Sequence, residues 1–158
     1  MNVVMIGAGY VGLVSGACFA EFGARVTCVD KSPERVAALS RGEIPIYEPG
    51  LDDLVARNVA GGRLQFSGEL AGPIAAADLV FIAVGTPSRR GDGHADLSFV
   101  YAASEEIARA IEGYTVVVTK STVPVGTGAE VEKIIRDARP EADFDVVSNP
   151  EFLRDKGL

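Results

Sequence analysis

The stretch Val3-Val4-Met5-Ile6-Gly7-Ala8-Gly9-Tyr10-Val11-Gly12 decides the fold, because a short apolar run leads directly into a glycine-rich turn and a helical pattern. Gly7 permits a tight turn, Gly9 lets a pyrophosphate approach the backbone, and Gly12 lets the helix pack closely on the strand. The free N–H groups and positive dipole end of the helix, which opens at Tyr10, would then face phosphate groups. The stretch therefore predicts a nucleotide site rather than a turn that serves only packing.

A second β-rich run, Arg25-Val26-Thr27-Cys28-Val29, ends in Asp30, 18 residues after Gly12. An acidic residue at this place accepts hydrogen bonds from the adenosine ribose hydroxyls and repels a 2′-phosphate, which favours NAD over NADP. Lys31 and Arg35 blur that preference, since a nearby cation can accommodate a 2′-phosphate. The order of strand, turn, helix and acid predicts a βαβ unit that binds NAD.

Strands and helices go on alternating to the end of the chain, which predicts an α/β fold with a doubly wound, mostly parallel sheet. The apolar run Asp78–Val84 is suited to a parallel strand covered on both faces. Further strands are predicted at residues 63–66, 115–119 and 144–147, and further helices at about 33–40, 51–58, 69–77, 98–112 and 127–138. We predict one Rossmann-like dinucleotide-binding domain over residues 1–158.

The composition limits the classes of partner. The 158 residues are 47% hydrophobic and carry a net charge of −7, so a real core is expected, whereas nucleic acid and anionic membranes are poor partners. No apolar run approaches the length of a membrane span, and the amino terminus enters a strand without a signal sequence. We expect a cytoplasmic protein.

Three polar loops follow predicted strands, at residues 85–96, 120–126 and 148–153, and open α/β sheets bind ligands at this edge. The hydroxyls of Thr86 and Thr122 either point into the crevice or tie up turn backbone. Glu151 is the best candidate general acid or base, because Asn149-Pro150 fixes its backbone and the apolar residues after it could desolvate it. The alternative for Glu151 is an ordinary surface carboxylate.

The remaining reactive residues carry less weight. His94 lies in a flexible glycine-rich segment and is expected to be solvated, while Cys18 and Cys28 are expected to be small buried hydrophobic residues. The sequence contains no metal-ligand constellation, so no metal is predicted.

Five motifs together resemble the UDP-glucose/GDP-mannose dehydrogenase family, and the match covers essentially the whole chain. They are Gly7–Leu13, Tyr47-Glu48-Pro49-Gly50-Leu51, Val84-Gly85-Thr86-Pro87, Lys120-Ser121-Thr122-Val123-Pro124-Val125-Gly126 and Asn149-Pro150-Glu151-Phe152-Leu153-Arg154. The resemblance is closer to the UDP-glucose branch than to the GDP-mannose branch. It implies oxidation of the sugar C6 alcohol to a carboxylate with two NAD+ and one water, through a thioester on a cysteine.

The resemblance also implies roles for individual residues. Glu151 and Thr122 are implied in catalysis, Glu151 as the general acid/base of thioester hydrolysis and Thr122 in positioning water. Glu151, Phe152, Leu153 and Arg154 are implied to border the sugar nucleotide. The implied cofactor-binding residues are Gly7, Gly9, Tyr10, Val11, Gly12, Asp30, Arg35, Val84, Gly85, Thr86, Pro87, Ser121, Thr122 and Asp155.

Two departures from the family pattern qualify this expectation. Asp155 replaces a glutamate, and a carboxylate one methylene shorter reaches the nicotinamide end less well. The family's nucleophilic cysteine, central helix and UDP-binding domain would follow Leu158, so the chain is expected to bind NAD without turnover. A homodimer is expected for the full-length protein and a monomer for the isolated domain. The alternatives are a GDP-mannose 6-dehydrogenase domain and a stand-alone NAD-binding or sensing module.

Overall fold

A computed structural model describes residues 1–151. The strands are Asn2–Ile6 (β1), Arg25–Val29 (β2), Leu64–Ser67 (β3), Leu79–Ile82 (β4), Thr115–Thr119 (β5) and Phe144–Ser148 (β6). The helices are Tyr10–Glu21 (α1), Pro33–Ser40 (α2), Leu51–Ala60 (α3), Ala71–Ala75 (α4), Ser98–Ala110 (α5) and Thr127–Ala138 (α6). None of these helices is long and apolar enough to cross a membrane.

The six strands form one sheet in the order β3-β2-β1-β4-β5-β6, and every neighbouring pair is parallel. This arrangement confirms the predicted doubly wound α/β fold. The strand order reverses between β1 and β4, and in open sheets of this kind ligands bind in the crevice outside the carboxyl ends of the strands at such a point. The fold therefore places the glycine-rich turn after β1 beside the loop after β4.

Helices cover both faces of the sheet, which explains the continuous apolar runs of its strands. On β1, Val3 and Met5 belong to one core cluster, together with residues of α1, α2 and α3. Val4 and Ile6 point to the opposite face and belong to a second cluster with residues of α4, α5 and α6. The alternation of side chains along a strand thus divides the core into two layers.

One strand is shorter in the structure than predicted. Residues 78–84 were expected to be extended throughout, yet β4 ends at Ile82. Its neighbour β1 ends at the residue paired with Ile82, which is Ile6, because the chain turns away at Gly7. Ala83 and Val84 therefore leave the ladder and become available to line a site. The other predicted boundaries differ from the observed ones by no more than two residues.

Helix boundaries follow the local signals in the sequence. The Ser32 hydroxyl accepts a hydrogen bond from the Arg35 backbone N–H at 3.2 Å, and Pro33 occupies the first turn of α2. Gly23, which follows the end of α1, has a φ of +103°, a backbone conformation that residues other than glycine rarely adopt. The entrance to α1 differs from that of α2 because no side chain caps it.

Candidate functional site

The glycine-rich turn between β1 and α1 is closed beside two glycines and open beside the third. Gly7 has a φ of +104°, and a Cβ atom there would lie 2.7 Å from the carbonyl oxygen of Ala83. A Cβ on Gly12 would lie 1.8 Å from the carbonyl oxygen of Gly7, whereas a Cβ on Gly9 meets no protein atom within 4 Å. Since the N-terminal N–H groups of α1 have no side-chain cap, this open space suits a phosphate group.

Asp30 lies at the end of β2, beside the turn, and its carboxylate is held by three donors. One oxygen accepts from the backbone N–H of Ala8 at 2.9 Å and from the Arg35 guanidinium at 3.0 Å, and the other accepts from the backbone N–H of Ser32 at 2.9 Å. Burial raises the pKa of Asp30, but these hydrogen bonds outweigh it and the net effect lowers the pKa. A carboxylate offers about four acceptor positions, so room is left for a ribose hydroxyl.

Both cations that blur the preference for NAD have carboxylate partners. Arg35 pairs with Asp30 itself, and Lys31 pairs with Glu106 on α5. The Lys31 side chain is 76% exposed, so its ion pair contributes little to stability. The Arg35 ion pair is better shielded from water, because the carboxylate of Asp30 is only 10% exposed. The charge of Arg35 is thus largely compensated where a 2′-phosphate would have to bind.

A cavity of about 500 Å³ lies where the glycine-rich turn meets the loops after β4 and β5 and the residue Glu151 after β6. The cavity is bounded by eleven residues, which are Gly9, Tyr10, Val11, Ala83, Val84, Gly85, Thr86, Lys120, Ser121, Thr122 and Glu151. Nine of them are predicted site residues, and Ala83 and Lys120 are the two that sequence reasoning missed.

The other predicted site residues fall into four groups. Gly7 and Gly12 shape the turn from within. Asp30 follows directly after β2, and Arg35, in the first turn of α2, pairs with it. Pro87 follows the cavity wall but does not line it. Phe152, Leu153, Arg154 and Asp155 lie outside the described residues.

The hydroxyls of the strand-exit loops connect those loops to one another. Thr86 Oγ1 donates to the carbonyl oxygen of Thr122 at 3.3 Å, and Thr122 Oγ1 donates to the carbonyl oxygen of Glu151 at 3.0 Å. Ser121 Oγ donates to the carbonyl oxygen of Val84 at 2.7 Å. Both threonines therefore line the cavity and tie up backbone, and their hydroxyl oxygens can still accept a hydrogen bond.

The carboxylate of Glu151 faces a cation rather than apolar side chains in the described part of the chain. Lys120 Nζ lies 3.0 Å from Glu151 Oε2 and 3.1 Å from Asn149 Oδ1. Phe152 and Leu153, which were predicted to desolvate Glu151, lie outside the described residues, so the apolar setting stays a prediction. On the described side, Lys120, the first residue after β5, reaches across to the exit of the neighbouring strand. A polar residue directly behind a buried strand was the available signal for Lys120.

Tyr10 makes a contact that the sequence did not reveal. Its hydroxyl donates to Glu48 Oε2 at 2.7 Å, which ties the loop before α3 to the start of α1. This hydrogen bond is the main cause of a raised pKa at Tyr10, with smaller contributions from burial and from the charges of Glu48 and Glu151. The contact shows that the segment Tyr47–Leu51 lies beside the glycine-rich turn and does not merely lead into a helix.

The histidine and the cysteines lie apart from the cavity lining. His94 has an 80% exposed side chain, as predicted for a solvated loop residue. Cys28 is fully buried as predicted, and burial raises the pKa of its thiol to about 12. Cys18 is only half-buried, which departs from its predicted burial. Within residues 1–151, no group of three metal-binding side chains comes together.

Comparisons with known proteins agree with this geometry. Residues 1–157 match the model of the UDP-glucose/GDP-mannose dehydrogenase family, NAD binding domain. The chain is 69% identical over 155 residues to UDP-glucose 6-dehydrogenase of Rhizobium meliloti, covering 98% of this chain and 36% of that protein.

Two solved structures are also similar over nearly the whole chain. One is a ternary complex of GDP-mannose dehydrogenase from Pseudomonas aeruginosa, with a TM-score of 0.92 and 36% identity over 98% of this chain and 37% of that one. The other is a UDP-glucose dehydrogenase from Pyrobaculum islandicum, with a TM-score of 0.90 and 42% identity over 97% of this chain and 36% of that one.

The chain thus spans about a third of the length of the proteins it matches. The family model describes an NAD-binding domain, which confirms the cofactor predicted from the glycine-rich turn and Asp30. The chain belongs to the UDP-glucose/GDP-mannose dehydrogenase family, as its NAD-binding domain.

Proposed function

We propose that the chain is the cofactor domain of a longer enzyme that oxidises the C6 alcohol of UDP-glucose to UDP-glucuronate with two NAD+ and one water. The observation that carries the proposal is the cavity in which the glycine-rich turn meets Thr86, Thr122 and Glu151. The 69% identity to a UDP-glucose 6-dehydrogenase supports the choice of substrate. When bound, NAD accepts a hydride from C6 in each of the two oxidation steps.

The residues of the turn and of β2 hold the cofactor in this proposal. The open space at Gly9 and the uncapped start of α1 receive the pyrophosphate, and Asp30 accepts a hydrogen bond from the adenosine ribose. The cavity walls at Val84–Thr86 and Ser121–Thr122 border the nicotinamide half. Tyr10 and Val11 complete the wall at the start of α1.

Glu151 and Thr122 carry the hydrolytic half of the reaction. Thr122 Oγ1 already donates to the Glu151 carbonyl, so its oxygen is left to accept a hydrogen bond from a water molecule. Glu151 then takes a proton from that water as the water oxygen attacks the carbonyl carbon of a thioester carried by a cysteine elsewhere in the whole enzyme. The C–S bond breaks, the carboxylate product is released, and Glu151 returns the proton to the departing thiolate. In the same proposal, Phe152, Leu153 and Arg154, which lie outside the described residues, are assigned to the sugar nucleotide, and Asp155 is assigned to the cofactor.

A GDP-mannose 6-dehydrogenase is the second candidate, because the GDP-mannose dehydrogenase structure superimposes with a TM-score of 0.92. NADH formation by the whole enzyme on UDP-glucose and on GDP-mannose separates the two, and we expect turnover with UDP-glucose alone. Turnover with GDP-mannose alone would assign the chain to the other branch. A homodimeric whole enzyme and a cytoplasmic location stay predictions.

Calorimetry on the isolated chain tests the cofactor half of the proposal. We expect saturable NAD binding, weaker NADP binding, and no NADH formation when UDP-glucose is added. An absence of NAD binding would contradict the proposal. NAD binding by the chain, combined with no activity of the whole protein on either sugar nucleotide, would instead support a stand-alone NAD-binding module.

The Glu151→Gln variant tests the role of that residue in the whole enzyme. Glutamine keeps the shape of the side chain but cannot exchange a proton, so we expect slow hydrolysis and accumulation of the thioester, visible as added mass on the intact protein. A steady-state rate equal to that of the unsubstituted enzyme would remove Glu151 from the mechanism.

A further inference from the structure

Lys120 is a nearly buried cation whose contacts lie on the loop after the neighbouring strand. Its side chain is only 12% exposed, and its ammonium lies 3.0 Å from Glu151 Oε2 and 3.1 Å from Asn149 Oδ1. A cation with so little access to water must be compensated locally, because burial of an isolated charge costs several kcal/mol in free energy. The two oxygens of the β6 exit loop provide that compensation.

The backbone around this contact is held independently of Lys120. Thr119 and Ser148 are partners in the register of β5 and β6, and the backbone N–H of Asn149 donates to the carbonyl oxygen of Thr119 at 2.9 Å. Thr122 Oγ1 holds the carbonyl oxygen of Glu151. The loop thus has its own anchors, and the ion pair with Lys120 is a separate restraint on the Glu151 side chain.

The carboxylate of Glu151, restrained in this way, faces the glycine-rich turn. Glu151 lines the cavity, and its charge is among the causes of the raised pKa at Tyr10, the first residue of α1. Its side chain is 34% exposed, so it is open to a ligand or to water on the cavity side. Lys120 contacts it at Oε2, and within residues 1–151 no hydrogen bond or ion pair reaches the other oxygen.

We propose that Lys120 is a positioning residue, which fixes the rotamer of Glu151 and supplies its counter-charge while Asn149 holds the lysine. This inference rests on the proposed function, in which Glu151 exchanges a proton with water. A free glutamate side chain loses rotamer entropy when it is fixed, and a misplacement of about 1 Å costs roughly a hundredfold in rate. The ion pair with Lys120 fixes the Glu151 side chain in the folded enzyme, so this entropy is already lost before the substrate binds.

The test compares Lys120→Met, Lys120→Arg, Glu151→Gln and the double variant Lys120→Met/Glu151→Gln in the whole enzyme. For Lys120→Met we expect kcat to fall by about tenfold to a hundredfold and the thioester to accumulate as in Glu151→Gln. The KM for NAD should stay within about twofold, because Lys120 acts on Glu151 and not on the cofactor. Arginine should restore much of kcat, since it keeps the charge.

The double variant should be no slower than Glu151→Gln alone, because a positioning residue has no effect once the residue it positions is inactive. Lys133→Met is the matched control: it removes an exposed lysine that pairs with Asp137 at 2.8 Å on α6, and it should leave kcat unchanged. Thermal unfolding of each variant checks that the fold is intact.

Four results would overturn the inference. A higher KM for NAD with unchanged kcat in Lys120→Met would show that the lysine binds the cofactor, and multiplicative losses in the double variant would show that it acts independently of Glu151. A loss of rate in Lys120→Met without any in Glu151→Gln would overturn both the inference and the assigned role of Glu151. Thioester accumulation in Glu151→Gln but not in Lys120→Met would overturn the inference alone.

Discussion

The carboxylate of Asp30 accepts a hydrogen bond from the backbone N–H of Ala8 at 2.9 Å, which joins the end of β2 to the glycine-rich turn after β1. The glycine-rich turn and the acidic residue, which are proposed to bind the pyrophosphate and the ribose, are thereby fixed to each other. The same oxygen of Asp30 also carries the Arg35 guanidinium. In the proposed function, the side chain that contacts the ribose therefore also holds the backbone of the turn.

Replacement of Asp30 by alanine should weaken NAD binding by about tenfold, the equivalent of one hydrogen bond to a charged group. Arg35 would lose its partner in the same variant, so NADP binding should weaken less or improve. Calorimetric titrations of both cofactors measure the two affinities. Asp137→Ala, which removes an exposed carboxylate from α6, is the control and should leave both affinities unchanged. Equal affinities in Asp30→Ala and the unsubstituted chain would show that Asp30 does not bind the ribose.

The lowered pKa of Asp30 predicts a pH dependence of stability. The three hydrogen bonds outweigh the effect of burial, so the folded state binds a proton less readily than the unfolded state, whose pKa is near the ordinary value of 3.8. The stabilisation is therefore complete well above pH 3.8 and is lost as the pH falls through the lower folded-state value. Urea unfolding of the unsubstituted chain and of Asp30→Asn should give free energies that differ at pH 7 and converge in acid. A difference that grows as the pH falls would contradict the assignment.

The glycines of the turn predict a contrast between two variants. Alanine at position 12 would place its Cβ 1.8 Å from the Gly7 carbonyl oxygen, so Gly12→Ala should lower the free energy of unfolding by about 3 kcal/mol or prevent folding. Alanine at position 9 meets no protein atom within 4 Å, and the φ of Gly9 is −76°. Gly9→Ala should therefore fold normally and still lose NAD affinity, because its methyl group occupies the space of the pyrophosphate. Thermal unfolding and calorimetry on both variants measure the contrast. Normal NAD binding by Gly9→Ala would place the phosphates elsewhere.

The two thiols should differ in reactivity. Burial raises the pKa of Cys28 to about 12, so its thiolate is scarce at pH 8, whereas Cys18 is half-buried. In a Cys18→Ala variant, we expect Cys28 to react with a disulfide reagent only after the chain is unfolded in urea. Cys28→Ala is the matched variant, in which the half-buried Cys18 should react with the reagent in the native state. Rapid labelling of Cys28 in the native state would show that the sheet opens on that face.

Sequence reasoning predicted the fold well because the relevant signals are local. The apolar runs of β1 and β2, the glycine spacing, and the Ser32-Pro33 start of α2 each lie within a few residues of the element they specify. The end of β4 was misplaced for the opposite reason. Its last residue is determined by the turn at Gly7, which lies more than 70 positions earlier in the chain.

In the candidate site, too, the features with local sequence signals were predictable and those that depend on distant residues were not. The glycine-rich turn and the strand-exit loops could be recognised from sequence, since parallel strands bring their carboxyl ends to one edge. The partners of individual side chains could not be. Lys120, after β5, contacts Glu151, after the neighbouring strand β6. Tyr10 contacts Glu48, which lies 38 positions later in the chain. Such pairs depend on side-chain direction and reach, which no periodicity encodes.

The uniform direction of the six strands also has a use in protein engineering. The turn at Gly61–Gly62, between α3 and β3, lies at the amino end of the strands, opposite the cofactor cavity. A strand of four or five residues separates the two edges by about 15 Å. A dye or a surface linker attached at the exposed Ala60, next to this turn, would leave the cofactor entrance clear, so the chain offers a scaffold for an immobilised NAD sensor.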